Sequence, residues 1–420
     1  MKFLHAADIH LDSPLRGLER YEGAPVEQIR SATRQSFDAM IDLAVDEGVD
    51  FALLAGDLYD GDWRDYNTGL FFIDRMSRLA DEGIPVFVVA GNHDAASQLS
   101  KALRLPNNVT VFSTRKAETK MLEHLDTAIH GQGFATRAVT EDLSLGYPQG
   151  IPGLFNVGLL HTCLDGQYGH DPYAPCSLDG LRSKGYQYWA LGHVHQRRVI
   201  CRDPWVIFPG NLQGRHIGEK GPKGCELVTA EDNAVISVDH RDLDVLRWEE
   251  CRVDTTGSDS PDEICERVDK AFRRALDGCE ERLLAVRLHL EGACNAHHSL
   301  HAHRERWENE FRAVATGVGV ARIWLEKVVV ATRATSDIDR VLERGDALGG
   351  LLGAIRDLEI GEGTLDSRVR NFAELRRKLP AEYFANADFA DPTDPVELRE
   401  ALEDVKEMLL SQLLGSRSER

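Results

Sequence analysis

The chain has 420 residues, 42% of them hydrophobic and 28% charged, with a net charge of −20. That length points to roughly two to three domains with ample core, and no apolar run approaches the roughly 18 residues of a membrane span. Residues 1–240 alone hold 22 basic against 32 acidic side chains, which argues against a protein that grips nucleic acid through its own broad basic face. A nuclease remains compatible, because bound cations offset carboxylates and a partner subunit can supply phosphate contacts. The start, Met1-Lys2-Phe3-Leu4-His5-Ala6-Ala7-Asp8, turns polar too early for a signal peptide. Eight scattered cysteines form no C-x-x-C pair, so neither a zinc knuckle nor a disulfide framework is expected, and a cytoplasmic location fits best.

Short apolar runs at 3–7, 51–55 and 85–90 have the character of strands covered on both faces. Between them, residues 26–47 place Ile29, Phe37, Met40, Ile41, Ala44 and Val45 mainly at three- and four-residue spacings. Residues 67–82 do the same with Leu70, Ile73, Leu79 and Ala80, and Gly83 follows as a helix stop. Strand–loop–helix alternation implies right-handed crossovers, which gather the loops after the strands on one edge of a sheet. Later runs at 127–130, 156–160, 188–191, 205–208 and 225–228 have little helix between them and predict a second, more antiparallel sheet. From about residue 243 the pattern changes. Residues 283–290 alternate as a half-exposed strand, and with helices at 262–276 and 300–315 and a strand at 322–330 they outline a small α+β unit. Residues 336–420 read as helical, ending in an apolar stripe over 395–414.

Polar motifs follow nearly every strand-like run of the first half. They are Asp8-Ile9-His10, Gly56-Asp57, Gly91-Asn92-His93-Asp94, His161 and Gly192-His193-Val194-His195. Oxygen and imidazole donors gathered at strand ends are what a two-metal hydrolase needs. A carboxylate such as Asp57 is the natural bridge between two cations. Asp8 and His10, two apart in extended chain, can hold one ion together; His193 and His195 can do so too, or serve different ions. Asn92 offers a neutral carbonyl oxygen. His93 beside it cannot easily reach the same ion, which makes it a candidate general acid or transition-state donor, with Asp94 able to orient its ring.

The ordered set D-x-H, G-D, G-N-H-D, H and G-H-x-H resembles the calcineurin-like metallophosphoesterases. The strings Ala7-Asp8-Ile9-His10-Leu11-Asp12-Ser13-Pro14, Ala55-Gly56-Asp57-Leu58-Tyr59-Asp60 and Leu191-Gly192-His193-Val194-His195 resemble their SbcD-type DNA-repair exonuclease branch. Gly61-Asp62-Trp63 and the stretch from Phe208 to His216 resemble its YhaO-like bacterial group. The resemblance implies a four-layer α/β/β/α metallophosphoesterase sandwich over 1–242, an α+β capping domain over 243–335 and a helical C-terminal segment over 336–420. It also implies two divalent ions, typically manganese, with Asp8, His10 and His195 on one and Asn92, His161 and His193 on the other. Asp57 bridges them, and His93 is the catalytic histidine paired with Asp94. DNA is the implied substrate, an SMC-like ATPase the implied partner, and a homodimer the implied assembly. Asp60 stands where many nuclease relatives carry a second histidine associated with exonuclease activity, so the cleavage mode departs from the pattern there.

Other features are weaker. Asp60 and Arg215 are candidate substrate contacts, Arg215 being equally readable as a structural ion pair. The cluster His297, His298, His301 and His303 reads as a polar surface, and Arg376-Arg377-Lys378 as a solvated helix face. In SbcD-like nucleases a C-terminal helical segment docks on the ATPase, and the Asp-rich loop 388–394 suggests a tether for one here. The competing functions are a phosphomonoesterase or cyclic-nucleotide phosphodiesterase on the same metals, and a mainly non-enzymatic scaffold for the ATPase.

Overall fold

The computed structural model describes residues 1–13, 26–60, 66–96, 104–164, 173–279, 281–319, 322–335 and 347–356, and beyond them only 394, 401–402, 405–406 and 409. Gly61-Asp62-Trp63, Arg376-Arg377-Lys378, most of the loop 388–394 and most of the terminal stripe 395–414 lie outside the described residues. The chain divides into two compact units, Met1–Glu250 with Gly278–Val286, and Cys251–Asp277 with Arg287–Arg420.

The first unit opens with β1 (Lys2–Ala6), α1 (Val26–Asp46), β2 (Phe51–Leu54), α2 (Tyr66–Asp81), β3 (Val86–Val88), the short α3 (Asn92–Ala96) and β4 (Val109–Val111). β1 to β4 pair in parallel and in sequence order, with Phe3 beside Phe51, Ala52 beside Val86 and Val86 beside Val109. The helices stop where glycine lets them. Gly83 adopts a φ of +70° and donates to Ala80, and Ile84 donates back to Leu79, so the chain leaves α2 in a left-handed cap aimed at β3.

A second sheet is built from β5 (Glu118–Leu122), β6 (Thr127–Gln132), β7 (Phe155–His161), β8 (Tyr188–Gly192), β9 (Arg198–Arg202) and β10 (Trp205–Phe208), with the short α4 (Leu178–Arg182) before β8. Its order is β5-β6-β7-β8-β10-β9. The expectation of a more antiparallel sheet fails. β6–β7, β7–β8 and β8–β10 are parallel, and only the edge pairs β5–β6 and β10–β9 are antiparallel. Among the described residues the connections between these parallel strands hold only short helical turns, so the scarcity of helical periodicity did not carry the inference. β11 (Gly224–Glu231) and β12 (Ala234–Asp242) return to the first sheet as an antiparallel edge beside β1.

Alternation along the central strands builds two cores from one sheet. Phe3, Phe51, Leu53 and Phe87 face the second sheet and pack on Ile129, Phe155, Val157, Leu159 and Tyr188. Leu4, Ala6, Ala52, Leu54 and Val86 face the other way, onto Phe37, Met40 and Ile41 of α1 and Phe72 and Met76 of α2. The sheet–sheet core is pinned by Phe3, which stacks on Phe51 at 4.8 Å and meets Tyr188 edge-on at 5.3 Å. The far face of the second sheet buries Leu160, Trp189, Leu191 and Phe208 under Tyr147, Leu181 and Tyr186. The result is a mixed α/β sandwich of helix layer, two six-stranded sheets and a thinner outer layer of loops with one short helix.

The second unit is organised on the sheet β13 (Leu246–Asp254), β14 (Leu283–Cys294) and β15 (Ile323–Ala334), with β13 and β14 running into it from the first. α5 (Pro261–Asp277) buries Ile264, Val268 and Phe272; α6 (His297–Ala302) and α7 (Arg304–Val318) follow, the latter burying Trp307, Phe311 and Ala315 at helical spacing. The single helix expected at 300–315 is divided at His303, whose φ of −121° and ψ of 43° leave the helical region. α8 (Ala347–Arg356) follows. Phe311→Ala, which empties a fully buried site, is expected to cost about 3–5 kcal/mol, measured by urea denaturation followed through the neighbouring Trp307.

Candidate metal centre

The site lies where the strands of both sheets end. Asp8 and His10 follow β1, Asp57 follows β2, and Asn92 and His93 open α3 beyond β3. His161 is the last residue of β7, and His193 and His195 follow β8. The parallel ladder continues past the strands as Asp8 N–H donates to Gly56 O and His10 N–H to Asp57 O, both at 3.0 Å. Asp8, His10, Asp57 and His193 adopt φ values of 50°, 47°, 52° and 102°. L-residues pay about 1–3 kcal/mol for such conformations, which concentrate at functional sites. Four of the seven candidate ligands share this signature.

Close backbone approach explains two of the glycines. A Cβ on Gly91 would lie 2.2 Å from Asp57 Oδ1, and one on Gly192 would lie 1.9 Å from Ala55 O. Any side chain there would drive the motifs apart.

The donor atoms converge. His10 Nε2 and His195 Nε2 lie 3.2 Å apart. Asp57 Oδ2 is 3.9 Å from His10 Nε2 and 3.6 Å from His161 Nε2, between the two groups. Asp8 Oδ1 is 3.9 Å from His195 Nε2, and Asn92 Oδ1 is 3.0 Å from His161 Nε2. The His193 ring centroid sits 5.2 Å from that of His161. The structure thus brings together all seven residues expected as ligands. Each of three rings is also fixed from behind. His10 Nδ1 faces Asp60 Oδ1 at 2.7 Å, His195 Nδ1 faces Glu219 Oε1 at 2.6 Å, and His161 Nδ1 faces Ala55 O at 2.8 Å. An ionised carboxylate or a carbonyl only accepts, so Nδ1 carries the proton and each Nε2 turns a lone pair inward. Lone pairs on imidazole, carboxylate and amide oxygens then point at one another at 3.0–3.9 Å. Such a donor set fits divalent cations with mixed oxygen and nitrogen preference. Among the described residues the groups able to hold a metal all lie here: Asp8, His10 and His195; Asp8, Asp57 and His161; and His10, Asp60 and His93.

Electrostatics point the same way. Burial pushes Asp57 up to about 6, and burial followed by the charge of Asp57 pushes Asp8 well above the usual carboxylate range and Asp94 up to about 7. Burial likewise drives His161 down to about 3 and His10 well below its ordinary value. Neutral imidazoles beside crowded carboxylates are the protonation state that cation binding requires.

His93 is set apart from these groups. Its side chain is 31% exposed, where those of His10 and His161 are 0% exposed. Its backbone N–H donates to Asp57 Oδ1 at 2.9 Å, and its Nδ1 lies 3.4 Å from Asp60 Oδ1. The carboxylate at the His93 ring is therefore Asp60. Asp94 accepts from the backbone N–H groups of Leu58, Tyr59 and Gly91 at 2.9–3.1 Å, bracing the loops after β2 and β3 against each other. Arg215, read from the sequence as either a substrate contact or a structural ion pair, engages Glu219 through Nη2 at 2.8 Å. Glu219 carried no local signal in the sequence, because only the fold brings it to His195.

The histidine cluster is placed differently from the expected polar surface. His297 is buried, 2% exposed, with Nδ1 3.0 Å from Thr332 Oγ1, and burial drives it down to about 4; His298 and His301 are partly buried and His303 is exposed. α6 packs on β15, so one face of that short helix is core.

Residues 1–197 match the family described as calcineurin-like phosphoesterase, and residues 248–333 match the middle domain of the metallophosphoesterase YhaO. The chain belongs to the calcineurin-like metallophosphoesterases, a family of metal-dependent hydrolases. It is similar to the uncharacterized metallophosphoesterase YhaO of Bacillus subtilis (strain 168), 38% identical over 278 residues that cover 65% of this chain and 68% of that one. At greater distance it is similar to two proteins named DNA double-strand break repair protein Mre11. The one from Sulfurisphaera tokodaii is 28% identical over 54% of this chain and 59% of its own. The one from Halobacterium salinarum is 26% identical over 66% and 68%. Among the described residues no helix is long and apolar enough to cross a membrane.

Proposed function

We propose that this protein is a two-metal phosphodiesterase acting on DNA, a nuclease subunit that works with an SMC-like ATPase and forms a homodimer. The observation that carries the metal chemistry is the convergence of His10 and His161 Nε2 on the Asp57 carboxylate, with His195 Nε2 beside His10 Nε2 and Asp8, and with the Nδ1 atoms of these three histidines already engaged. Asp8, His10 and His195 would hold one divalent cation, Asn92, His161 and His193 a second, and Asp57 would serve both. When bound, such ions, manganese in the first instance, would supply charge neutralisation of the phosphate and a more acidic attacking water. The chain's own residues do the rest. Asp57 also accepts the His93 N–H, which fixes the backbone of the catalytic histidine relative to the centre. The partly exposed His93 ring donates a proton or hydrogen bond to the phosphoryl group or leaving oxygen, and Asp60 sets its orientation.

DNA as substrate is supported by the Mre11 relatives and by the additional α+β unit. The net charge of −20 fits a subunit whose phosphate contacts come from its cations and its partner. None of the eight cysteines is in a disulfide; the proposed location is the cytoplasm.

The test is digestion of end-labelled DNA with Mn2+, with and without the partner ATPase, beside bis-p-nitrophenyl phosphate. His93→Ala is expected to leave Mn2+ binding intact and to lower kcat by about 10^2- to 10^4-fold. Full cleavage by that variant would remove His93 from the chemistry. Turnover of the small ester with no cut in any form of DNA would move the substrate class to small phosphoesters.

A further inference from the structure

Arg215 keeps 16% of its side chain exposed and turns inward. Its Nη2 and Nε reach Glu219 at 2.8 and 3.3 Å, and its backbone N–H donates to Glu219 Oε2 at 2.8 Å. On its other side Nη1 lies 3.5 Å from Asp60 Oδ2 and 3.5 Å from Ser13 Oγ, which itself donates to Asp60. Asp60 and Glu219 are the two carboxylates behind His10 and His195, whose Nε2 atoms face each other at 3.2 Å. Five side chains therefore close a ring: Asp60, His10, His195, Glu219 and Arg215. Asn211 supports it from below, its Nδ2 donating to Glu219 Oε2 at 2.8 Å.

We propose that Arg215 is a positioning residue for one half of the metal centre: by tying Asp60 to Glu219 it holds the imidazoles of His10 and His195 on a single cation, and it does not read the substrate. The inference rests on the two-metal reading above and assigns Arg215 and Glu219 a role within it. Removing the guanidinium leaves the inward carboxylates of Asp60 and Glu219, 19% and 6% exposed, without the cation that joins them. Their repulsion at low dielectric turns one or both away from its histidine. A planar fork with five donors reaches two carboxylates at once, which a lysine's point charge does less well. In the other half of the centre His161 is held outside this ring, by the backbone carbonyl of Ala55. Arg215 should therefore affect one cation and spare the other.

The experiment is calorimetric titration of the full-length protein with Mn2+, together with electron paramagnetic resonance of the bound ions and steady-state kinetics on DNA. For Arg215→Ala one of two Mn2+ equivalents is expected to weaken about 10- to 100-fold, the second to keep its affinity, the coupled two-ion signal to be lost at limiting metal, and kcat to fall more than KM rises. Arg215→Lys, which retains the charge, should recover part of the lost affinity, and it keeps the test open should the alanine variant fold poorly. Unchanged affinity for both ions with a raised KM for DNA would make Arg215 a substrate contact and overturn the proposal. A lowered melting temperature with both affinities unchanged would reduce it to a brace and overturn it equally. If the unsubstituted protein binds no Mn2+, the two-metal reading itself falls, an outcome visible before any variant is made.

Discussion

Asp57→Asn is expected to abolish metal-dependent hydrolysis and, in the same molecule, to raise the melting temperature of the metal-free protein. The loss follows from position. Asp57 Oδ2 lies between His10 and His161, 3.9 Å and 3.6 Å from their Nε2 atoms. Removing the anionic bridge withdraws several kcal/mol of charge stabilisation, or roughly a thousandfold in kcat. The gain in stability follows from charge. Burial lifts the Asp57 carboxyl to about 6 in the fold, against about 3.9 in an unfolded chain. The metal-free fold therefore binds a proton that the unfolded chain releases. The stability contributed by this group is fully present below about pH 4 and is lost as the pH rises through about 6, on the order of 2–3 kcal/mol by neutrality. Asparagine keeps the acceptor for the His93 N–H and places an amide donor opposite two imidazole lone pairs. Melting curves of metal-free protein at pH 5 and pH 7.5 check both parts: the buried neutral histidines are common to both proteins, so the stability of the unsubstituted protein relative to Asp57→Asn should fall between the two pH values, and Mn2+ should stabilise only the unsubstituted protein. A variant that retains a tenth of the activity would remove Asp57 from the bridge.

Gly91→Ala should disable the centre without deleting a single ligand. The added methyl would sit 2.2 Å from Asp57 Oδ1 and 2.7 Å from Asp57 N, and its contacts are backbone and a constrained carboxylate, neither of which can swing aside. The loop after β2 must then move away from the loop after β3, carrying the bridge out of register with His161. The expected result is a drop in Mn2+ affinity of about two orders of magnitude, by analogy with misplaced supporting groups, and a destabilisation of about 1–3 kcal/mol from overpacking. Gly317→Ala is the matched control. Its Cβ meets nothing within 4 Å and it lies inside α7, so helix propensity predicts a gain of up to about 1 kcal/mol. Mn2+ titration and thermal melts of the two variants separate the close approach from a general sensitivity to glycine replacement.

The seven candidate ligands were legible in the sequence because each is local: a polar residue directly after an apolar run is visible without knowing what the run pairs with. The doubly buried strands of the first sheet were visible for the same reason, since Phe3 and Leu4 serve opposite cores and leave no polar gap. What was not legible depends on distant pairing. Asp60 was marked as a departure from a pattern and as a candidate substrate contact, whereas in the fold it meets His10 across 50 residues and His93 across 33. Glu219 reaches His195 from a turn 24 residues away. The parallel pairing of β6, β7 and β8 was hidden because their connections lack amphipathic helices. His297 looked like surface because its neighbours are polar, yet α6 turns that one side chain toward Thr332.

The ligands are divided between the layers. Asp8, His10, Asp57 and Asn92 stand at the ends of the first sheet, and His161, His193 and His195 at the ends of the second. On the proposed assignment each cation takes ligands from both, so the ions act as a clasp across the seam whose interior is fastened by Phe3, Phe51 and Tyr188. Sliding one sheet along the other by a fraction of a bond length would leave the aromatic seam almost unchanged in energy, since stacked rings tolerate offset. The same slip would mis-set every coordination distance at once. The centre is thus a gauge of alignment between the two halves of the sandwich, and changes far from it, buried between the sheets, can be felt first as a loss of metal.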